Sequence, residues 1–158
     1  MAIRNLRTDG DDVLRKKSKP VEVFDKKLWE LLDDMGDTLE EQNGVGLAAV
    51  QVGVLRRIFI VDVGEGITEF INPQLLEVNG EQEVPEGCLS YPGQWGLIKR
   101  PAYAKIKAQN RNGEWFEKDG TELYAQALCH EYDHLDGISF LDKVERRLTD
   151  EEVRHLGD

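Results

Sequence analysis

Three things are scarce in this 158-residue chain: long apolar runs, basic residues and cysteine. No segment approaches the roughly 18 consecutive apolar residues that a spanning helix needs. The N-terminal stretch MAIRNLRTDGDD has no apolar core of the kind a secretory leader carries. Both absences lead to the expectation of a cytoplasmic protein. Lys and Arg number 20 against 31 Asp and Glu, for a net charge of -11. A surface of that sign repels phosphate backbones and anionic lipid, which argues against direct nucleic-acid or membrane binding. Only two cysteines occur, Cys88 and Cys129. A single disulfide could join them, but a cytosolic chain with few cysteines more often uses them as thiols or ligands.

What is present has the balance of an ordinary globular domain, 40% hydrophobic and 32% charged, in a length that buries a real core. With no repeat, low-complexity tract or linker, residues 1–158 read as a single domain. The clearest helix is FDKKLWELLDDMGDTLEEQNG. Leu28, Leu31, Leu32, Met35 and Leu39 make one apolar stripe, Asp25 suits the N-cap, and Asn43-Gly44 is a stop. RRIFIVDV reads as a strand with a short apolar run. GITEFINPQLLEV reads as one or two strands broken at Asn72-Pro73, and YAKIKAQNRNGEWFEKDG as a hairpin about Asn112-Gly113. TELYAQALCHEYDHLDG turns helical again, with Thr121 as a cap and Gly137 as the stop. Thr149 and Glu152 fit a capping box for a last short helix. Strands segregated from helices in this order point to an α+β fold with a mostly antiparallel sheet.

Two of the three histidines, His130 and His134, lie four residues apart in CHEYDHLDG. On a helix that spacing puts both rings on one face. Glu131 is one step round, within reach of a water held there. This is the HExxH arrangement of two nitrogen ligands and a general base. A catalytic site needs a third ligand. His155 lies close to the C-terminus and reads as a surface residue. Glu145, Glu151 and Glu152 are downstream options of the zincin type, but none sits in a long helical pattern. Cys88, in EGCLSYPG, offers a thiolate, a strong ligand for a divalent transition metal. Cys129 faces roughly 100° away from His130 on the helix and reads as core.

Three segments, GVGLAAVQVG, EGCLS and HEYDHLDG, follow one another in that order, with DDVLRKKSKPVE ahead of them. Together they resemble the peptide deformylase family, over most of the chain. The resemblance implies an α+β fold, with mixed, mostly antiparallel sheets around a central HExxH helix, working as a single catalytic domain. It implies a metal-dependent hydrolase that removes the N-formyl group from the N-terminal methionine of newly made polypeptides and releases formate. It makes Cys88, His130 and His134 the metal ligands and Glu131 the acid/base. Gln51 and the backbone N–H of Leu89 then bind the formyl oxygen, and Gly46 lets the chain approach the substrate closely. The cofactor implied is one divalent ion, ferrous iron natively, with zinc, nickel or cobalt able to substitute. The partners are nascent formyl-methionyl polypeptides and, at most weakly, the ribosome. A methionine side chain needs an apolar pocket. Ala127 lies one turn before His130 on the same face, and Val45, Tyr91 and Trp95 are the other candidates for its walls. Asp12 and Cys129 depart from the family pattern, at a surface turn and at a position beside the first histidine. A zincin-type peptidase and a closed, non-catalytic metal module are the rival readings.

Overall fold

The computed structural model describes residues 2–156. Helix α1 (Lys26–Glu41) starts as expected: the Asp25 carboxylate accepts the Leu28 N–H at 3.3 Å, satisfying one orphan donor of the first turn. Its stripe of Leu28, Leu31, Leu32, Met35 and Leu39 is buried. The chain leaves the helix through Asn43, in the left-handed region at φ 53°.

Strands β1 (Gly46–Ala48), β2 (Ile58–Val61), β3 (Thr68–Asn79), β6 (Tyr103–Gln109) and β7 (Trp115–Thr121) form one sheet in that order. The two outer faces of β2 explain its unbroken apolar run. Ile58 and Ile60 pack against the α1 stripe, whereas Phe59 and Val61 pack against helix α2 (Leu123–Leu135). A strand covered on both faces has no reason to alternate with polar residues. Small residues bring α2 close to the sheet: Ala48, Ala104 and Ala108 on the strands face Ala125 and Ala127 on the helix. Phe59 and Phe70 stack with ring centroids 4.9 Å apart in the same layer.

A second sheet has the order β4, β5, β8, from β4 (Gln82–Glu86), β5 (Gly96–Arg100) and β8 (Arg146–Arg147). The sequence reading missed it. QEVPE holds a proline and three polar residues. β4 lies at the sheet edge, where a missing N–H is tolerated and no apolar alternation is required. Leu14, Tyr91, Ile98 and Phe140 close the space between this sheet and the end of α2.

The α+β class with antiparallel sheets is what the structure has. Among the described residues every pairing of named strands is antiparallel, and the one parallel register is the isolated bridge Lys19–Arg56. Two boundaries differ from expectation. Asn72-Pro73 does not break the strand: β3 runs through it with a register shift between Ile71 and Gln74. Asn72 takes φ 51° there and clasps the neighbouring chain, accepting the Val21 N–H at 2.8 Å and donating to the Val21 carbonyl at 2.9 Å. Thr121 is not the cap of α2 either. It ends β7, and Glu122 enters the helix at φ 53° with its N–H on the Ala102 carbonyl at 3.0 Å. The short helix α3 (Asp150–Arg154) does carry the Thr149/Glu152 capping box.

The end of α2 is held firmly. Arg57 donates to the Leu135 carbonyl at 3.1 Å and to Asp136 Oδ1 at 3.0 Å, placing a cation where the helix dipole is negative. Gly137 follows at φ 74°, with Arg15 backbone packed where a Cβ would stand. Gly137→Ala adds left-handed strain and a steric clash, and is expected to cost roughly 2–3 kcal/mol. The urea midpoint of the variant, measured against wild type, checks it; an unchanged midpoint would show that the turn relaxes freely.

Candidate metal centre and active site

Because α2 is helical from Leu123 to Leu135, His130 and His134 share a face, with ring centroids 5.0 Å apart at 73°. The loop leaving β4 brings Cys88 to them: its Sγ is 3.3 Å from His134 Nε2. The thiol and the two imidazoles offer ligand atoms that all lie within 4.8 Å of one another, the one such donor cluster among the described residues. Two nitrogens and a sulfur suit a divalent transition ion. Beside them, Glu131 Oε1 is buried with no hydrogen-bond partner in the protein, as a group facing a water or substrate would be. The residues present therefore fit a catalytic metal. Cys129 stays outside the cluster. It is buried against the sheet, and burial pushes its thiol up to about 11. Of the downstream glutamates, Glu145 pairs with Lys99 at 3.4 Å and Glu152 with Arg146 at 2.7 Å.

Behind His130 lies an ionic network. His130 Nδ1 is 2.7 Å from Glu86 Oε2, and Arg100 grips the same carboxylate through Nε at 3.0 Å and Nη2 at 2.6 Å. Arg100 Nη1 goes on to Asp133 at 2.8 Å. Burial would raise the Glu86 pKa, but the hydrogen bonds from His130 and Arg100 outweigh it and hold it at about 2. An anionic Glu86 can only accept, so Nδ1 carries a proton, and Nε2 is the ring atom on the side of Glu131. Burial opposes charging His130, yet Glu131, Cys88 and Glu86 together raise its pKa well above the ordinary imidazole value. Burial and the neighbouring His130 lower that of His134.

Burial lifts Glu131 to about 7, with His130 pulling the other way. Its carboxylate reaches to 3.9 Å from His130 Nε2. The room for it comes from Gly46: a Cβ there would stand 2.6 Å from Glu131 Oε2. The smallness attributed to substrate approach is thus already taken up by the glutamate. Gln51, 1% exposed, is fixed at both ends of its amide. Its Oε1 accepts the Ala48 N–H at 2.9 Å, and its Nε2 donates to Ser90 Oγ at 3.1 Å and faces Cys88 Sγ at 3.6 Å.

A cavity of about 520 Å³ opens in front of the cluster, lined by Val45, Gly46, Cys88, Leu89, Tyr91, Trp95, Ala127, His130 and Glu131 among others. It lies between the β1 end of one sheet and the β4 end of the other. All the expected pocket residues meet there. Gln51 and His134 do not line it and sit behind its wall. Sequence reasoning missed Glu86, Arg100 and Ser90. Glu86 lies two positions before Cys88 and reads as one more charge on a polar strand. Arg100 is 14 residues further on, and no local pattern links the two.

The model of the polypeptide deformylase family matches residues 3–149. The chain belongs to that family. It is 55% identical to the peptide deformylase of Acetivibrio thermocellus over 97% of its own length and 90% of the relative's. It is 53% identical to that of Caldicellulosiruptor bescii over all of its own length and 97% of the other. The crystal structure of peptide deformylase from Thermotoga maritima superposes with a TM-score of 0.89 at 40% identity, covering 92% of this chain and 99% of that one. The deformylase is thus a metal-dependent hydrolase that removes the N-formyl group from the N-terminal methionine of nascent polypeptides, releasing formate.

In this deformylase the Glu86 carboxylate holds the donor orientation of His130. Glu86→Gln keeps the shape and loses the charge, so metal affinity is expected to fall about 10- to 100-fold. Chelator competition on the purified protein measures this directly; affinity equal to wild type would leave Glu86 with a packing role only.

Proposed function

We propose that Cys88, His130 and His134 hold the divalent ion of this deformylase and that Glu131 moves the proton. The observation that carries the reading is the closeness of one thiol and two imidazoles beside a buried carboxylate oxygen that has no partner. When bound, the ion supplies Lewis acidity for the formyl carbonyl and lowers the pKa of a water towards neutrality. Glu131 takes the proton of the attacking water as it adds to the formyl carbon, then delivers it to the leaving nitrogen. A carboxyl titrating at about 7 is suited to both steps at neutral pH. The Gln51 side-chain N–H and the Leu89 backbone N–H donate to the oxygen as it gains charge. Val45, Tyr91, Trp95 and Ala127 receive the methionine side chain, and the Gly46 backbone bonds the peptide.

The donor set accepts iron, zinc, nickel or cobalt, and the reading assigns ferrous iron as the native ion. The chain acts as one catalytic domain in the cytoplasm, meets the ribosome weakly at most, and keeps away from nucleic acid and lipid through its net charge of -11.

Two measurements test the assignment, both made without oxygen on the metal-loaded protein. Cys88→Ala is expected to lose most bound metal and Cys129→Ala to retain it; equal metal content in wild type and Cys88→Ala would sink the ligand set. Glu131→Gln keeps shape but cannot accept a proton, so metal should stay at wild-type stoichiometry while formate release per metal falls by about 10²–10⁴. Turnover of that variant near the wild-type rate would remove Glu131 from the mechanism.

A further inference from the structure

An amide side chain used as a hydrogen-bond donor must be held with its nitrogen, not its oxygen, towards the reacting atoms. In Gln51 that choice is made by two neighbours. The Ala48 N–H takes the oxygen, and the Ser90 hydroxyl takes one of the two hydrogens on Nε2, at 3.1 Å. The second hydrogen is left for the direction of Cys88 Sγ, 3.6 Å away. Ser90 is 0% exposed and Gln51 1%, so the surrounding solvent offers no substitute partner for the amide. Ser90 also follows Leu89, whose N–H is the other donor. One short N-terminal stretch clamps both segments: the Arg7 N–H bonds the Gln51 carbonyl at 2.7 Å and the Asp9 N–H bonds the Ser90 carbonyl at 2.8 Å.

We infer that Ser90 is a positioning residue for deformylation, its hydroxyl orienting the Gln51 amide so that the second N–H of Gln51, on the Cys88 side, and the N–H of Leu89 converge on one oxygen. This rests on the reading of Gln51 as an oxyanion donor. Ser90 does not line the cavity and acts only through Gln51. Without the hydroxyl, one Nε2 hydrogen loses its buried partner. The amide is then held at its oxygen alone and can rock about its last side-chain torsion, and the productive orientation is populated less.

The test is a double-mutant cycle of Ser90→Ala and Gln51→Leu. It follows kcat and KM for formate release from a formyl-methionyl peptide, with metal content and thermal midpoint of each variant. Gln51→Leu should lower kcat by about 10²–10³. Ser90→Ala should lower kcat about tenfold, as expected for one buried hydrogen bond, with KM and metal stoichiometry unchanged. In the Gln51→Leu background the same Ser90→Ala change should have no further effect on kcat. A Ser90→Ala variant that only melts earlier, with wild-type kcat, overturns the inference while leaving Gln51 in place. Equal tenfold losses in both backgrounds also overturn it, since Ser90 would then act independently of Gln51. A Gln51→Leu variant with wild-type kcat removes the oxyanion reading itself, and this inference with it.

Discussion

Arg100 is 3% exposed and holds the Glu86 carboxylate, 4% exposed, through two hydrogen bonds. A buried ion pair of this kind contributes little net stability, because desolvating both charges offsets their attraction. What it does here is join three elements. Glu86 ends β4, Arg100 ends β5, and through His130 and Asp133 the pair reaches two consecutive turns of α2. The loop carrying Cys88 departs directly from Glu86. The placement of the thiol beside the imidazoles is therefore tied to this charged network. Moving β4 away from α2 would take Glu86 from His130 and leave a buried Nδ1–H without its acceptor, which costs more than losing an apolar contact.

The same economy of space governs the Glu131 carboxylate. Glu131 is buried at the cavity wall, and its surroundings do not pair its carboxylate with a cation side chain. Burial raises its pKa to about 7, and His130, 3.9 Å away, restrains the rise. Among the described residues no arginine or lysine pairs with it; the guanidinium nearby bonds Glu86 and Asp133. Gly46 makes the enclosure tight by letting the Glu131 carboxylate stand where a side chain of β1 would otherwise be. The surroundings of Glu131 thus depend on an edge strand of the large sheet, and the position of Cys88 on the edge of the small one. The cavity is the gap between them.

The motif residues were readable because their chemistry is local. Two histidines and a glutamate on one turn of a helix can be placed by spacing alone, and the α1 stripe, the Asn112-Gly113 hairpin and the Thr149 cap are equally local patterns. The failures share a different cause. β4 is not legible because QEVPE, at a sheet edge, holds a proline and three polar residues and shows no apolar alternation, although its burial alternates in the fold. Thr121 was taken for a cap because cap preference is local, whereas Glu122 is held at its unusual φ by the carbonyl of Ala102 across the chain. Asn72-Pro73 looked like a break because the clasp on Val21 that carries the strand through it comes from 51 residues away.

By itself the sequence determined the class of chemistry. The HExxH turn, one cysteine in EGCLS and the order of three motifs were enough to point to a metal-dependent deformylase with an α+β fold. Bottom-up spacing left the third ligand open between a thiol and downstream carboxylates; only the resemblance pointed to Cys88. The tertiary structure brought Cys88 beside the two histidines, turned Cys129 into the core, and used Glu145 and Glu152 elsewhere. It also decided which groups surround the cluster: Glu86 and Arg100 behind His130, Ser90 behind Gln51, Gly46 against Glu131. Those are contacts between segments distant in the chain. They carry no periodicity, because a buried polar partner is selected by where two backbones meet and not by its neighbours in sequence.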